Sequence, residues 1–105
     1  MRVLLILVDG MSPDALKEIP QAQRLLKKAS YTMQAKTVVP SVTLPAHMSL
    51  FHSVDPSRHG ITTNLYKPQV RPVNGLCEVL NQNGKWCAMF HGWDEFRDLA
   101  RDPAR

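Results

Sequence analysis

The sequence has no apolar run long enough to cross a membrane and no signal for export. Its longest branched-aliphatic run, Val3–Val8, has six residues, whereas a membrane-spanning helix needs about 20. The run meets Asp9-Gly10, and no small-residue cleavage site follows, so the segment does not have the form of a signal peptide. We therefore expect a cytoplasmic protein that does not contact a membrane.

The chain is also poor in cysteine and in clustered charge. Cys77 and Cys87 stand apart and lack C-x-x-C spacing, which favours free thiols in a reducing compartment. Lys and Arg together number 13, against 9 Asp and Glu, but they are scattered singly or in pairs such as Lys27-Lys28. This pattern lends no specific support to nucleic-acid binding, and it suits an anionic small-molecule substrate equally well.

Several common catalytic motifs are missing as well. The sequence contains no G-x-S-x-G elbow, no Walker loop and no G-x-G-x-x-G. A strand that ends in Asp9 is typical of haloacid dehalogenase-type hydrolases, but these need a second acid two residues later, where this chain has Met11. The histidines have no recognised metal-binding spacing, so structural roles are expected for them. They are His47, His52, His59 and His91.

The residues that are present predict one α/β domain, 1–105. The continuous apolar run Val3–Val8 is typical of a strand covered on both faces. Further strands are predicted at Tyr31–Val39 and Lys85–Phe90. The expected fold is a parallel sheet of about three strands with flanking helices. Apolar stripes and helix-start signals predict these helices at 13–18, 20–29, 45–54, 72–83 and 94–100.

The stretch Val39–His47 is expected to form an elbow between a strand and a helix. Pro40 and Pro45 fix φ near −65°, and Pro45 suits the first position of a helix. Thr43, between them, is therefore predicted at a helix N-terminus, where free amides and the helix dipole favour an anion. The alternative interpretation is that Thr43 is only a helix cap.

Asp9 and Thr43 are expected at the same edge of the sheet, because functional groups gather beyond the carboxyl ends of parallel strands. A threonine hydroxyl is a weak nucleophile that needs a base or a metal, and a carboxylate is a hard metal ligand. Asn64 adds a neutral donor that could reach a developing phosphoryl charge. Considered alone, Asp9 before Gly10 is as consistent with a turn residue as with a metal ligand.

Three linked motifs resemble the alkaline phosphatase superfamily, most closely its type I phosphodiesterase/nucleotide pyrophosphatase branch. They are Leu7–Gly10, Pro40–His47 and His59–Asn64, and their order and spacing agree with that branch. The resemblance runs from residue 1 to about residue 100. It implies that the chain is the N-terminal part of an alkaline-phosphatase-like domain.

The resemblance implies metal-dependent hydrolysis of phosphate esters through a phospho-threonine intermediate. Thr43 would be the nucleophile and, with Asp9, a metal ligand, while Asn64 and the amide of Thr43 would contact phosphate oxygens. The implied cofactors are two divalent metal ions, usually zinc, with manganese in related branches. Sulfatases carry Cys or Ser followed by x-Pro-x-Arg, so Thr43 and His47 disfavour sulfate esters. Asn64 in place of an arginine favours a phosphodiester over a monoester.

The family's other metal ligands, further Asp and His residues, are expected downstream of Arg105. Asp9 and Thr43 cannot hold two ions, so the isolated chain is expected to be inactive. A sheet of three apolar strands would also leave an open edge, through which self-association is expected. Two alternatives stay open: a phosphomutase of the same superfamily, and a non-catalytic α/β fragment or binding module.

Overall fold

The computed structural model describes residues 1–69 and 71–99, and the regular structure in these ranges is helical. The chain divides into two compact units, Met1–Lys36 and a second that begins at Thr37. Two of the helices are 3₁₀ helices, Pro13–Glu18 and Asp94–Phe96. The α-helices are α1 (Pro20–Leu26), α2 (Thr43–His52), α3 (Pro56–His59) and α4 (Leu76–Gln82).

The predicted α/β fold is wrong, because residues 1–69 and 71–99 contain no strand and hence no parallel sheet. A strand exists only where a second segment pairs with it through a hydrogen-bond ladder. An apolar pattern, by contrast, indicates only that one segment prefers an extended conformation. Val3–Val8 has no such partner, and its side chains are exposed by between 42% at Leu7 and 84% at Leu4. The sheet edge at which Asp9 and Thr43 were expected to meet is therefore not formed.

The first unit consists of two short helices, and none of its residues, all of them described, is buried. The 3₁₀ helix and α1 each begin with proline, at Pro13 and Pro20, as predicted from the suitability of proline for a first helical turn. The Gln23 side chain donates a hydrogen bond to the carbonyl oxygen of Leu16 at 2.8 Å and links the two helices. Helices this short gain little stability without a packed face.

The second unit is built around α2. The helix buries Leu44 and Met48 against Ile61 and Leu99, and the rings of Trp93 and Phe96 lie edge to face beside them, with centroids 4.9 Å apart. Full burial of a leucine side chain stabilises a fold by roughly 1.5–3 kcal/mol. Because Leu44 is only 2% exposed, this cluster fixes the first turn of α2 in place.

The observed ends of the helices differ from the predicted ends in several places. α2 begins at Thr43, so Pro45 stands third, where a helical N–H has no partner in any case. The predicted start at Pro72 is wrong, since α4 begins after Gly75. The predicted end of the last helix, Ala100, lies outside the described residues. Within them, no helix combines the length and apolarity that a membrane crossing requires.

Candidate active site

Thr43 is the first residue of α2, and its own N–H is left free at the helix start. The N-cap is Val42, and no side chain caps the helix, so the interpretation of Thr43 as a helix cap is wrong. Pro45 has no N–H, and the N–H of Leu44 donates to Asn64 Oδ1 at 3.0 Å. Among the described residues, no backbone acceptor pairs with the Thr43 N–H. This N–H lies at the helix N-terminus, which is the positive end of the helix dipole.

Asn64 is held against this first turn by the same contact. Its Oδ1 accepts from Leu44 across twenty residues of sequence. A side-chain amide has an acceptor end and a donor end, so the bond to Leu44 leaves the Nδ2 amino group as a donor. The structure therefore brings Asn64 to the residue next to Thr43, and both belong to the second unit.

His47, where sulfatases carry arginine, has a structural role. Its Nδ1 donates a hydrogen bond to the carbonyl oxygen of Thr43 at 2.8 Å, one helical turn earlier. The ring also packs against Phe96, with centroids 4.7 Å apart. These contacts confirm the expected structural role of this histidine and tie the carbonyl of Thr43 to the body of the unit.

His59 connects the segments that carry Thr43 and Asn64. It is 2% exposed and accepts the Ile61 N–H on Nδ1 at 3.0 Å. The proton is therefore on Nε2, which donates to Ser49 Oγ in α2 at 2.9 Å. Burial lowers the pKa of His59 from its ordinary value of 6.5, because desolvation disfavours the imidazolium form.

This lowered pKa predicts that the free energy of unfolding declines as the pH falls below about 6.5. Above that pH His59 is neutral in both states, and its contribution is fully present. As the pH falls from the unfolded pKa towards the lowered folded pKa, the unfolded chain binds more protons, and stability is lost. Urea unfolding measured between about pH 8 and pH 5 checks this. In His59→Gln the decline should become shallower, and an unchanged slope would contradict the assignment.

A cleft of about 290 Å³ opens at the end of α3. Three cationic side chains, from Arg58, Lys67 and Arg71, line it, and none of its described lining residues carries a carboxylate. A guanidinium nitrogen of Arg58 donates to the carbonyl oxygen of Arg71 at 2.8 Å and holds the loop closed. Clefts lined by charge of one sign attract ligands of the opposite sign. The remaining lining residues are Ser57, His59, Gly60 and Pro68.

No role was predicted from the sequence for Arg58, Lys67 or Arg71. The available signal was the position of Arg58 directly before the His59-Gly60 motif. Its pairing with Arg71 joins residues thirteen apart, which no local pattern reveals.

Asp9 lies in the first unit as an exposed residue, directly before Gly10 at φ 70°. That geometry matches the turn interpretation, since glycine adopts this conformation without strain. Asp9 and Thr43 each offer a hard oxygen donor of the kind that divalent metals accept. However, the described His, Cys, Asp and Glu side chains form no group of three or more that could hold a metal ion.

A helix start with backbone and side-chain amide donors suits an anionic group such as a phosphate. Residues 3–94 match the model of the family described as type I phosphodiesterase / nucleotide pyrophosphatase. The chain therefore belongs to this family of phosphate-ester hydrolases, and the resemblance drawn from its three motifs is confirmed. Neither a curated protein nor a solved structure matches the chain.

Proposed function

We propose that this chain carries the nucleophile and the phosphate-contacting groups of a metal-dependent hydrolase for phosphodiesters or nucleotide pyrophosphates. The observation that supports this most directly is the bond from the Leu44 N–H to Asn64 Oδ1. That bond joins the Asn64 side chain to the residue that follows Thr43, and no described backbone group accepts a hydrogen bond from the Thr43 N–H. A nucleophile and two hydrogen-bond donors for one phosphate group thus come from a single helix turn and its neighbouring loop.

In the proposed reaction the Thr43 hydroxyl loses its proton to solvent, and Oγ1 bonds to phosphorus while the bond from phosphorus to the leaving-group oxygen breaks. The leaving group departs with that electron pair and takes up a proton from solvent. The Asn64 amino group and the Thr43 N–H donate to the phosphate oxygens as negative charge builds up there. One such preorganised donor typically contributes about 3–4 kcal/mol to the transition state. Water then attacks phosphorus and releases the product phosphate, and the Thr43 hydroxyl is restored.

The basic cleft supports an anionic small molecule as the substrate. Arg58, Lys67 and Arg71 line it without a described carboxylate, and the segment from Arg58 to Arg71 includes Asn64. A nucleotide pyrophosphate carries more than one phosphate group, and we propose that these cations attract its negative charge. This favours a substrate with several phosphates over a neutral ester.

We propose that the full-length gene product binds two divalent ions, either zinc or manganese. Asp9 and Thr43 are the ligands that this chain would contribute, and the others would come from elsewhere in that product. Since two oxygen donors cannot hold two ions, we propose that the 105-residue chain shows no turnover by itself.

The test is an assay of the full-length gene product on an aryl phosphodiester and an aryl phosphomonoester. We expect diester hydrolysis to be the faster reaction, to stop after chelation and to return with zinc or manganese. Phosphate transfer to a sugar phosphate without hydrolysis would instead identify a phosphomutase. A metal-free product that hydrolyses neither ester, and whose size rises with concentration, would identify a non-catalytic module.

Two substitutions separate the structural role of Asn64 from its proposed catalytic role. Asn64→Ala should reduce the hydrolysis rate by about 10²- to 10³-fold, the typical effect of removing one donor to a developing negative charge. Asn64→Asp keeps an acceptor for the Leu44 N–H but removes the amino group and adds a negative charge. It should therefore keep the thermal stability of the parent and still lose activity. Parental activity in Asn64→Asp would restrict Asn64 to holding the helix start.

A further inference from the structure

The two cysteines, which the sequence places apart, are in contact in the second unit. Cys77 is a buried residue of α4, 5% exposed, and Cys87 is half-buried. Both are free thiols, and their Sγ atoms lie 2.8 Å apart. The contact arises because α4 ends in a reversal at Gly84, whose φ is 69°. The Lys85 N–H then bonds the carbonyl oxygen of Leu80 at 2.9 Å, and the chain returns along the helix.

We propose that Cys77 and Cys87 are a redox-active pair that closes a reversible intramolecular disulfide when it reacts with a low-molecular-weight disulfide such as oxidised glutathione. Two thiols that the fold already holds in contact need no rearrangement of the chain to meet. In the unfolded chain the same thiols are separated by ten residues and meet only by loop closure. The folded state should therefore favour the disulfide.

The order of the chemical steps follows from exposure. Cys87, the more accessible thiol, attacks one sulfur of the small disulfide as a thiolate, and the first small thiolate leaves. Cys77 then loses its proton to solvent and attacks Cys87 Sγ, which expels the second small thiolate. Two protein thiols are oxidised, and one small disulfide is reduced to two thiols.

The second step should be the slow one at neutral pH. Burial and the contact with Cys87 raise the pKa of Cys77 to about 12, so little of it is thiolate. The rate of ring closure from the mixed disulfide should therefore rise about tenfold per pH unit in the neutral range, as the thiolate fraction does.

The disulfide would fasten the helix that supports α2. Gly75, the N-cap of α4, lies against the His52 ring so closely that a Cβ there would meet His52 Nε2 at 3.0 Å. Its N–H bonds Glu78 Oε2 at 3.1 Å, in a part of the unit where Glu78 is only 1% exposed. His52 is the last residue of α2, the helix that begins at Thr43. Oxidation therefore adds a covalent tie in the helix that packs against the end of α2 opposite to Thr43.

The experiment equilibrates this chain with reduced and oxidised glutathione at several ratios, both folded and in concentrated urea. After acid quenching and alkylation, mass spectrometry counts the free thiols and separates intramolecular disulfides from glutathione adducts. We expect the equilibrium constant for the intramolecular disulfide to be at least about tenfold greater in the folded chain than in urea. Dithiothreitol should restore both thiols.

Single substitutions provide the controls. Cys77→Ser should stop at the glutathione adduct of Cys87, whereas Cys87→Ser should react more slowly, because its remaining thiol is buried. If a serine variant does not fold, the equilibrium constants of the parental chain in buffer and in urea still test the proposal. Equal constants in the two conditions, or disulfides only between molecules, would overturn the proposal.

Discussion

Replacing Thr43 by alanine in the full-length gene product is expected to lower kcat for phosphodiester hydrolysis by about 10³- to 10⁶-fold. The substitution removes the oxygen that would accept the phosphoryl group. The Thr43 N–H and the Asn64 amide remain, and such groups support some residual catalysis without the nucleophile. Folding should be unaffected, because Thr43 is half-buried and no side chain caps α2.

Two further variants give this prediction its controls. Thr43→Val keeps the shape of the side chain without its hydroxyl and should be as inactive as Thr43→Ala. Thr43→Ser keeps a hydroxyl and should retain measurable activity. Acid quenching during turnover should trap a phosphorylated residue 43 in the parent and in Thr43→Ser only. If Thr43→Val were to hydrolyse the diester at the parental rate, another residue would be the nucleophile.

Replacing His59 by leucine is expected to lower the free energy of unfolding of the second unit by about 2–6 kcal/mol. Leucine fills most of the space, but it leaves Ser49 Oγ and the Ile61 N–H without their partner at 2.9 Å and 3.0 Å. Each buried polar group without a partner costs about 1–3 kcal/mol. Urea unfolding followed by circular dichroism measures the loss.

The two hydrogen bonds of His59 can be tested separately. His59→Asn keeps an acceptor near the position of Nδ1 for the Ile61 N–H, and His59→Gln keeps a donor near that of Nε2 for Ser49. Each should therefore lose less stability than His59→Leu. Comparison of Ser49→Ala, His59→Leu and the double variant should give a coupling energy of about 1 kcal/mol. A coupling energy near zero would mean that the Ser49 bond adds nothing to stability.

The elements that could be predicted from the sequence are those set by local chemistry. The helix expected at 45–54 is present as Thr43–His52, because an apolar face and a proline in the first turn are local properties. The 3₁₀ helix at Pro13–Glu18 has the predicted bounds for the same reason. The resemblance implied that Asn64 and the Thr43 amide contact the same phosphate group, which stays a prediction. The structure shows the Asn64 side chain bonded to the N–H of the neighbouring Leu44.

The features that the sequence did not reveal depend on contacts between distant segments. The prediction of strands was wrong because the apolar pattern of one segment does not identify the segment that would pair with it. The contact of Cys77 with Cys87 depends on a chain reversal at Gly84, and Arg58 enters the cleft through its bond to Arg71. Spacing along the chain contains none of this information.

The edge-to-face packing of Trp93 on Phe96 provides the second unit with an intrinsic optical probe. Trp93 is half-buried against the α2 cluster, whereas Trp86 is 89% exposed. The emission of Trp86 should therefore resemble that of free indole in water whether or not the chain is folded. In a Trp86→Phe background the only remaining tryptophan lies beside the helix that begins at Thr43, so its emission wavelength reports directly on the packing that holds the proposed nucleophile.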